Sequence, residues 1–144
     1  MLSCYDVAQY FLAKADEDAG DLMSNLKLQK LVYYAQGFAL ALLDTPLFPQ
    51  CIEAWIHGPV VPALYYEYKS YGTDAIPSPR ELDFSKYDQE TQDLLDEVYA
   101  VYGQFAAWKL RNMTHQEPPW RMTPAGQEIT HDALRAYFKT QVDV

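Results

Sequence analysis

The sequence predicts a mainly α fold: a compact domain of about six helices around a central helix at residues 24–43, with one short β element near 51–57. Apolar residues recur at three- and four-residue spacing in successive segments, which is the helical period. One of those segments is apolar on two opposite sides, as suits a helix buried centrally or shared between the core and a partner. A single run, Cys51 to Ile56, alternates in part and reads as a strand.

The elements follow in order. The first helix starts after Ser3, whose hydroxyl can cap free N–H groups, and runs to about Ala19, where Gly20 and Asp21 break it. Val7, Ala8, Phe11, Leu12 and Ala15 form its apolar face. Ser24 or Asn25 caps the central helix, which continues to about Leu43. Leu28, Leu31, Val32, Ala35, Ala39 and Leu42 line one side of it, and Leu26, Tyr33, Gly37 and Leu40 the other. Gly37 costs helix stability, which predicts that another backbone approaches there. Pro46 and Pro49 end the element. After the strand, Gly58-Pro59 reads as the turn, and Pro59 and Pro62 both fit the first turn of a third helix. That helix turns Val61, Leu64, Tyr65 and Tyr68 inward and leaves Tyr66, Glu67 and Ser70 outward; Tyr71-Gly72 stops it.

Residues 73–87, with Pro77 and Pro79, read as a loop. A fourth helix from Asp88 places Leu95, Val98, Tyr99, Tyr102, Phe105 and Ala106 on one stripe, with Gly103 as a break point. A fifth segment runs to about Met113, and Thr114 to Gly126, with three prolines, reads as an ordered connection. Thr130 caps a last helix with Ala133, Leu134, Tyr137 and Phe138 inward. Residues 1–144 are thus read as one domain, a length that supports a core without disulfides or a structural metal.

Composition excludes several classes. The longest uncharged runs, 31–43 and 54–66, fall short of the roughly 20 apolar residues of a membrane span. Asp6 near the start, with no basic lead-in, argues against a secretory signal. Cys4 and Cys51 are too few for a disulfide framework and read as reduced thiols of a cytoplasmic protein. A net charge of −9 repels a phosphate backbone, so nucleic acid is disfavoured as a partner. From Glu81 to Glu97 seven acids stand against Lys86 alone, whereas 109–139 carries five bases and three acids. Such an acidic block is usually a solvated helix face; its sharper reading is a surface for a basic protein.

Residues that can carry chemistry are sparse. His57, His115 and Glu117, with His131 further on, are the one metal-like set, and none has the i, i+4 partner that a zinc-hydrolase helix requires. The six glycines are scattered singly, so there is no phosphate loop. Histidines satisfied by neighbouring backbone are the simpler reading, and no catalytic residue, cofactor or metal is expected. A His/Glu enzyme built on these three side chains is the weakest functional reading.

Three strings carry more information: Leu26-Lys27-Leu28-Gln29-Lys30-Leu31-Val32-Tyr33-Tyr34-Ala35-Gln36-Gly37, Glu53-Ala54-Trp55-Ile56-His57-Gly58-Pro59-Val60-Val61-Pro62, and Thr114-His115-Gln116-Glu117-Pro118-Pro119-Trp120. Together with Pro46-Leu47-Phe48 and Tyr71-Gly72 they resemble the Panacea domain family, the antitoxin domain also found in phage-associated proteins and SocA-like proteolytic adaptors. The resemblance covers almost the whole chain and ends near Ile129 and Phe138; Arg121-Met122-Thr123 before Pro124 departs from the pattern. It implies a protein that neutralises a co-encoded protein toxin by binding it or, as the alternative, delivers that toxin to an ATP-dependent protease. The motifs then belong to the scaffold: Leu28, Leu31, Trp55 and Val61 sit where a core should be, and His115 and Glu117 fasten the 114–120 connection through backbone or each other.

Twelve tyrosines and three tryptophans exceed what a small core needs, and both types dominate binding hot spots. Tyr34, Tyr65, Tyr68 and Tyr99 fit inward stripes, whereas the helical phases of Tyr33 and Tyr66 point elsewhere. The partner surface read from the sequence is Tyr66, Glu67 and Ser70 together with Asp93, Asp96 and Glu97.

Overall fold

The structure is a computed structural model that describes residues 1–17 and 22–142. The elements are α1 (Cys4–Glu17), α2 (Asn25–Leu42), β1 (Ile52–Trp55), β2 (Gly58–Val60), α3 (Pro62–Tyr68), α4 (Gln89–Tyr102), α5 (Ala107–His115), α6 (Pro118–Arg121), β3 (Glu128–Ile129) and α7 (His131–Lys139), with 3-10 turns at 69–71 and 84–86. The fold is mainly α with a small sheet at one end.

Local chemistry sets the helix starts. The Ser3 hydroxyl accepts from Asp6 N, and the Asp6 carboxylate accepts from Ser3 N and Oγ, a reciprocal cap. Ser24, Asp88 and Thr130 each cap the helix that follows through the backbone N–H three residues on. The expected end of the first helix at Ala19, Gly20 and Asp21 lies outside the described residues.

Helix α2 runs through the middle, and α1, α3, α4, α5, α7 and β2 all pack on it. Its apolar character on opposite sides is therefore core on opposite sides, and Tyr33, set apart by phase alone, is fully buried. Leu42, assigned to the inner stripe, is 56% exposed, because it lies at an open cleft between α2, α4 and residues 141–142. At Gly37 the close approach is a ring, not a backbone: a Cβ there would stand 2.2 Å from the ring carbons of Phe138 on α7.

The β region is larger than one strand. Strands β1 and β2 form an antiparallel hairpin in which Trp55 faces Gly58 and Ala54 faces Pro59, and β3 pairs with the other edge of β1. The turn is therefore Ile56-His57, and Gly58-Pro59 is strand. Pro59 is tolerated because β2 is an edge strand, where a missing N–H breaks no ladder. Of the two prolines assigned to the start of α3, only Pro62 stands there.

Two further boundaries differ. Helix α4 stops at Tyr102, with Gly103 N donating to Tyr99 O, so Phe105 and Ala106 leave its stripe and Ala106 becomes the N-cap of α5. The connection after Thr114 contains α6, a seventh helix among the described residues: Pro118 and Pro119 occupy the first positions, where no N–H is needed. The core contains residues of every helix except α6, and Phe48 and Tyr87 from connecting segments join it.

Candidate partner-binding site

The polar residues of α2 are buried and hold main-chain atoms of other segments. Gln29 Oε1 accepts from Val61 N at 2.8 Å, and Gln36 spans residues 47–48, accepting from Leu47 N and donating to Phe48 O. Lys27 Nζ donates to Gly103 O at 2.7 Å, and Lys30 Nζ to Pro59 O at 3.1 Å. Lys30 is fully buried; loss of hydration, helped by the nearby Arg111 cation, pulls its ammonium down to about 7. Gly58 lies against this side chain with φ +108°, and a Cβ there would stand 2.7 Å from both Lys30 Cε and Thr114 Oγ1. The glycine is needed twice, for its backbone and for its missing side chain.

Glu117 is buried and accepts from Tyr34 Oη at 2.7 Å and Tyr33 Oη at 2.9 Å; Tyr137 bonds to the same carboxylate. Burial raises its carboxyl and these donors pull it back, while burial and the adjoining carboxylate raise the phenols, Tyr102 and Tyr137 to about 12. Tyr34 also stacks on Tyr102 with ring centroids 3.9 Å apart. The Glu117 carboxylate is thus fastened by tyrosines of α2 and α7, not by backbone or His115.

His115 stacks flat on Trp120, 3.9 Å between centroids. Its Nε2 is, among the described residues, the buried side-chain nitrogen or oxygen that has no hydrogen-bond partner. Burial first, then the Arg111 charge, lowers its basicity; its hydrogen bond to the Ile56 backbone works the other way. His57, exposed at the hairpin turn, accepts from Arg111 Nε at 3.2 Å. The three candidate residues therefore have separate engagements. Among the described residues no group of three His, Cys, Asp or Glu side chains is placed to hold a metal.

Three tethers meet at the β1–β2 hairpin. Lys30 holds β2, Trp120 Nε1 donates to Trp55 O at 2.6 Å, and the Arg111 guanidinium lies over Trp108, 4.4 Å from the ring centre, while its Nε binds His57. What this corner presents outward is apolar: Ile56 is 78% exposed, Met122 76% and Trp108 54%. A cleft of about 560 Å³ lies between the hairpin and residues 120–126, lined by Trp55, Ile56, Trp120 and Arg121 among others. Trp55 is half-buried at this surface, outside the core assigned to it, with its ring 5.0 Å from that of Tyr65 and 6.5 Å from that of Tyr66.

The residues singled out in the sequence for contact fall on two faces. Tyr66 is 63% exposed beside Trp55, with Glu67 and Ser70 exposed on the same helix and turn. On α4, Asp93 and Glu97 are exposed, but Asp96 is committed within the chain: it accepts from Tyr10 Oη and pairs with Lys14 Nζ at 3.1 Å. Ile56, Trp108, Arg111 and Met122 were not singled out. For Trp108 a signal existed, since two residues before the buried Leu110 is the opposite side of a helix. For Ile56 there was none, because its exposure follows from the turn's position.

Among the described residues no helix is long and apolar enough to cross a membrane. The family model described as "Antitoxin SocA-like, Panacea domain" matches residues 28–121, which hold most of the first string and all of the other two. Antitoxin SocA of Caulobacter vibrioides (strain NA1000 / CB15N) is 29% identical over 115 residues, 72% of this chain and 61% of that relative. The chain therefore spans less than two thirds of the curated relative's length. No solved structure matches.

Proposed function

Because the chain belongs to the Panacea-domain family of SocA-like antitoxins, we propose that it neutralises a co-encoded protein toxin in the cytoplasm by holding it in a stoichiometric complex. The observation that carries this reading is the use made of the motif residues. Gln29, Lys30, Tyr33, Tyr34 and Glu117 are spent inside the fold on fixing main chain and one another, which suits a rigid binding body rather than a reaction centre. His57, His115 and Glu117 each have a partner of another kind, which lends no support to the enzyme reading. Tyr66 at the Trp55 corner supplies contact, and the acidic charge, with Asp93 and Glu97 at its centre, draws in a basic partner.

The test is co-expression with the protein encoded by the adjacent reading frame. The expected result is growth rescue together with a one-to-one complex that survives gel filtration, in a strain lacking ATP-dependent proteases as well as in one that has them. Rescue that disappears without the protease would assign the chain to the adaptor class instead. Absence of both rescue and complex would remove the antitoxin reading.

A further inference from the structure

We infer that the toxin's contact segment is apolar and flanked by carboxylates, and that it seats in the cleft beside the β1–β2 turn; this rests on the antitoxin reading and adds the surface and the chemistry of the contact. Exposed apolar residues scattered singly are ordinary on a protein surface. Here Ile56 forms the lip of the cleft, while Trp108 lies beside the same turn, 5.5 Å from the His57 ring, and Met122 follows the cleft residue Arg121. Trp and Arg around an open apolar groove are residue types enriched at interface hot spots.

Charge identifies the occupant. The chain carries −9 overall, yet between residues 107 and 122 the charges are Lys109, Arg111 and Arg121 against Glu117 alone. Glu117 is buried and turned toward Tyr33 and Tyr34, so that segment shows solvent a cationic surface. Glu53 on β1 accepts from Trp55 Nε1 at 2.9 Å and Glu128 stands opposite it on β3, so the cationic surface is that of α5 and Arg121 and not of the sheet. A carboxylate-bearing segment is repelled by most of this molecule and accepted at this island, which fixes the orientation of a partner that the overall field attracts. Three cations spread among apolar groups do not make the continuous track that a phosphate backbone needs.

The corner is also built before any partner arrives. Lys30 holds Pro59, Trp120 holds the Trp55 carbonyl and Arg111 holds His57, so little of the surface has to be ordered on binding.

The test measures the affinity of the adjacent-frame protein for the full chain and for Ile56→Asp, Trp108→Ala and Arg121→Glu, with Lys139→Glu, the same change of charge at the end of α7, as the comparison. All four positions are exposed, and thermal midpoints close to wild type will confirm that each variant folds. The expected result is at least tenfold weaker binding for I56D and W108A, a severalfold loss for R121E that shrinks at high salt, and near-wild-type affinity for K139E. Wild-type affinity in both I56D and W108A overturns the surface, and wild-type affinity in R121E overturns the carboxylate. Tight binding of a labelled single-stranded oligonucleotide that W108A abolishes would replace the protein segment by nucleic acid. Failure of the unmodified chain to bind the adjacent-frame protein is a failure of the antitoxin reading, and this inference falls with it.

Discussion

Phe138 occupies the volume that a side chain on Gly37 would need, with its ring carbons 2.2 Å from the position of a Cβ. Both residues are completely enclosed between α2 and α7, and the Phe138 ring also meets Tyr33, Tyr34 and Phe38 edge-on. Ring and helix have no room to separate by the extra ångström. Gly37→Ala is therefore expected to destabilise the chain by about 1–3 kcal/mol despite the better helix propensity of alanine. Urea titration checks this, and Phe138→Leu in the same chain should recover part of the loss by vacating the ring's edge.

Glu117 is the one acceptor that Tyr33 and Tyr34 share. Glu117→Ala leaves both phenols in the core without it, at roughly 1–3 kcal/mol for each orphaned donor. Glu117→Gln keeps one carbonyl acceptor and should fall between alanine and wild type. Equal denaturation midpoints for the alanine variant and the wild type would show that the carboxylate ties nothing together.

Lys30 makes stability depend on pH. Its ammonium titrates near 7 in the folded chain against 10.5 for the free side chain, so between those values the unfolded chain holds more protons than the folded one. Unfolding free energy must then rise with pH across that window, and the contribution is lost as pH falls through 7. Measured against Lys30→Met, the wild type should gain about 2 kcal/mol between pH 7 and pH 9. Parallel curves for the two proteins would mean that Lys30 stays charged in the fold.

The α4 acids divide by what already binds them. Asp93 and Glu97 are exposed, so Asp93→Lys with Glu97→Lys should slow association with a basic toxin severalfold at low salt, leave the thermal midpoint in place and lose its effect near 0.5 M salt. Asp96→Lys should lower the midpoint instead, because Tyr10 and Lys14 both depend on that carboxylate. Stopped-flow rates and thermal melts separate the two outcomes. An unchanged on-rate in the double variant removes the acidic face from the encounter.

The legible parts of this fold are those set within a few residues. Ser24, Asp88 and Thr130 show themselves as caps because a cap is a three-residue relation. The outward turn of Tyr66 follows from helical phase in the same way. The illegible parts depend on partners far along the chain. Glu128 and Ile129 become strand because β1 lies beside them, about 75 residues earlier, and Pro59 becomes strand through pairing with Ala54. The burial of Lys30 needs Pro59 O on one side and Arg111 nearby, and no spacing within α2 announces either. At the candidate site the framework motifs were legible as a group, but the surface they support was not. The exposure of Ile56 is decided by which two residues make the turn, and Gly58-Pro59 carries the stronger local turn signal.

The side chains of Gln29, Lys30 and Gln36 grip carbonyl and amide groups, which every residue at the gripped position supplies apart from the proline N–H. Loops fastened in this way keep their course when their own residues are exchanged. The exposed turn residues Ile56 and His57 can thus be rewritten, by natural drift or by a randomised library, while Gly58 and the chassis beneath stay the same.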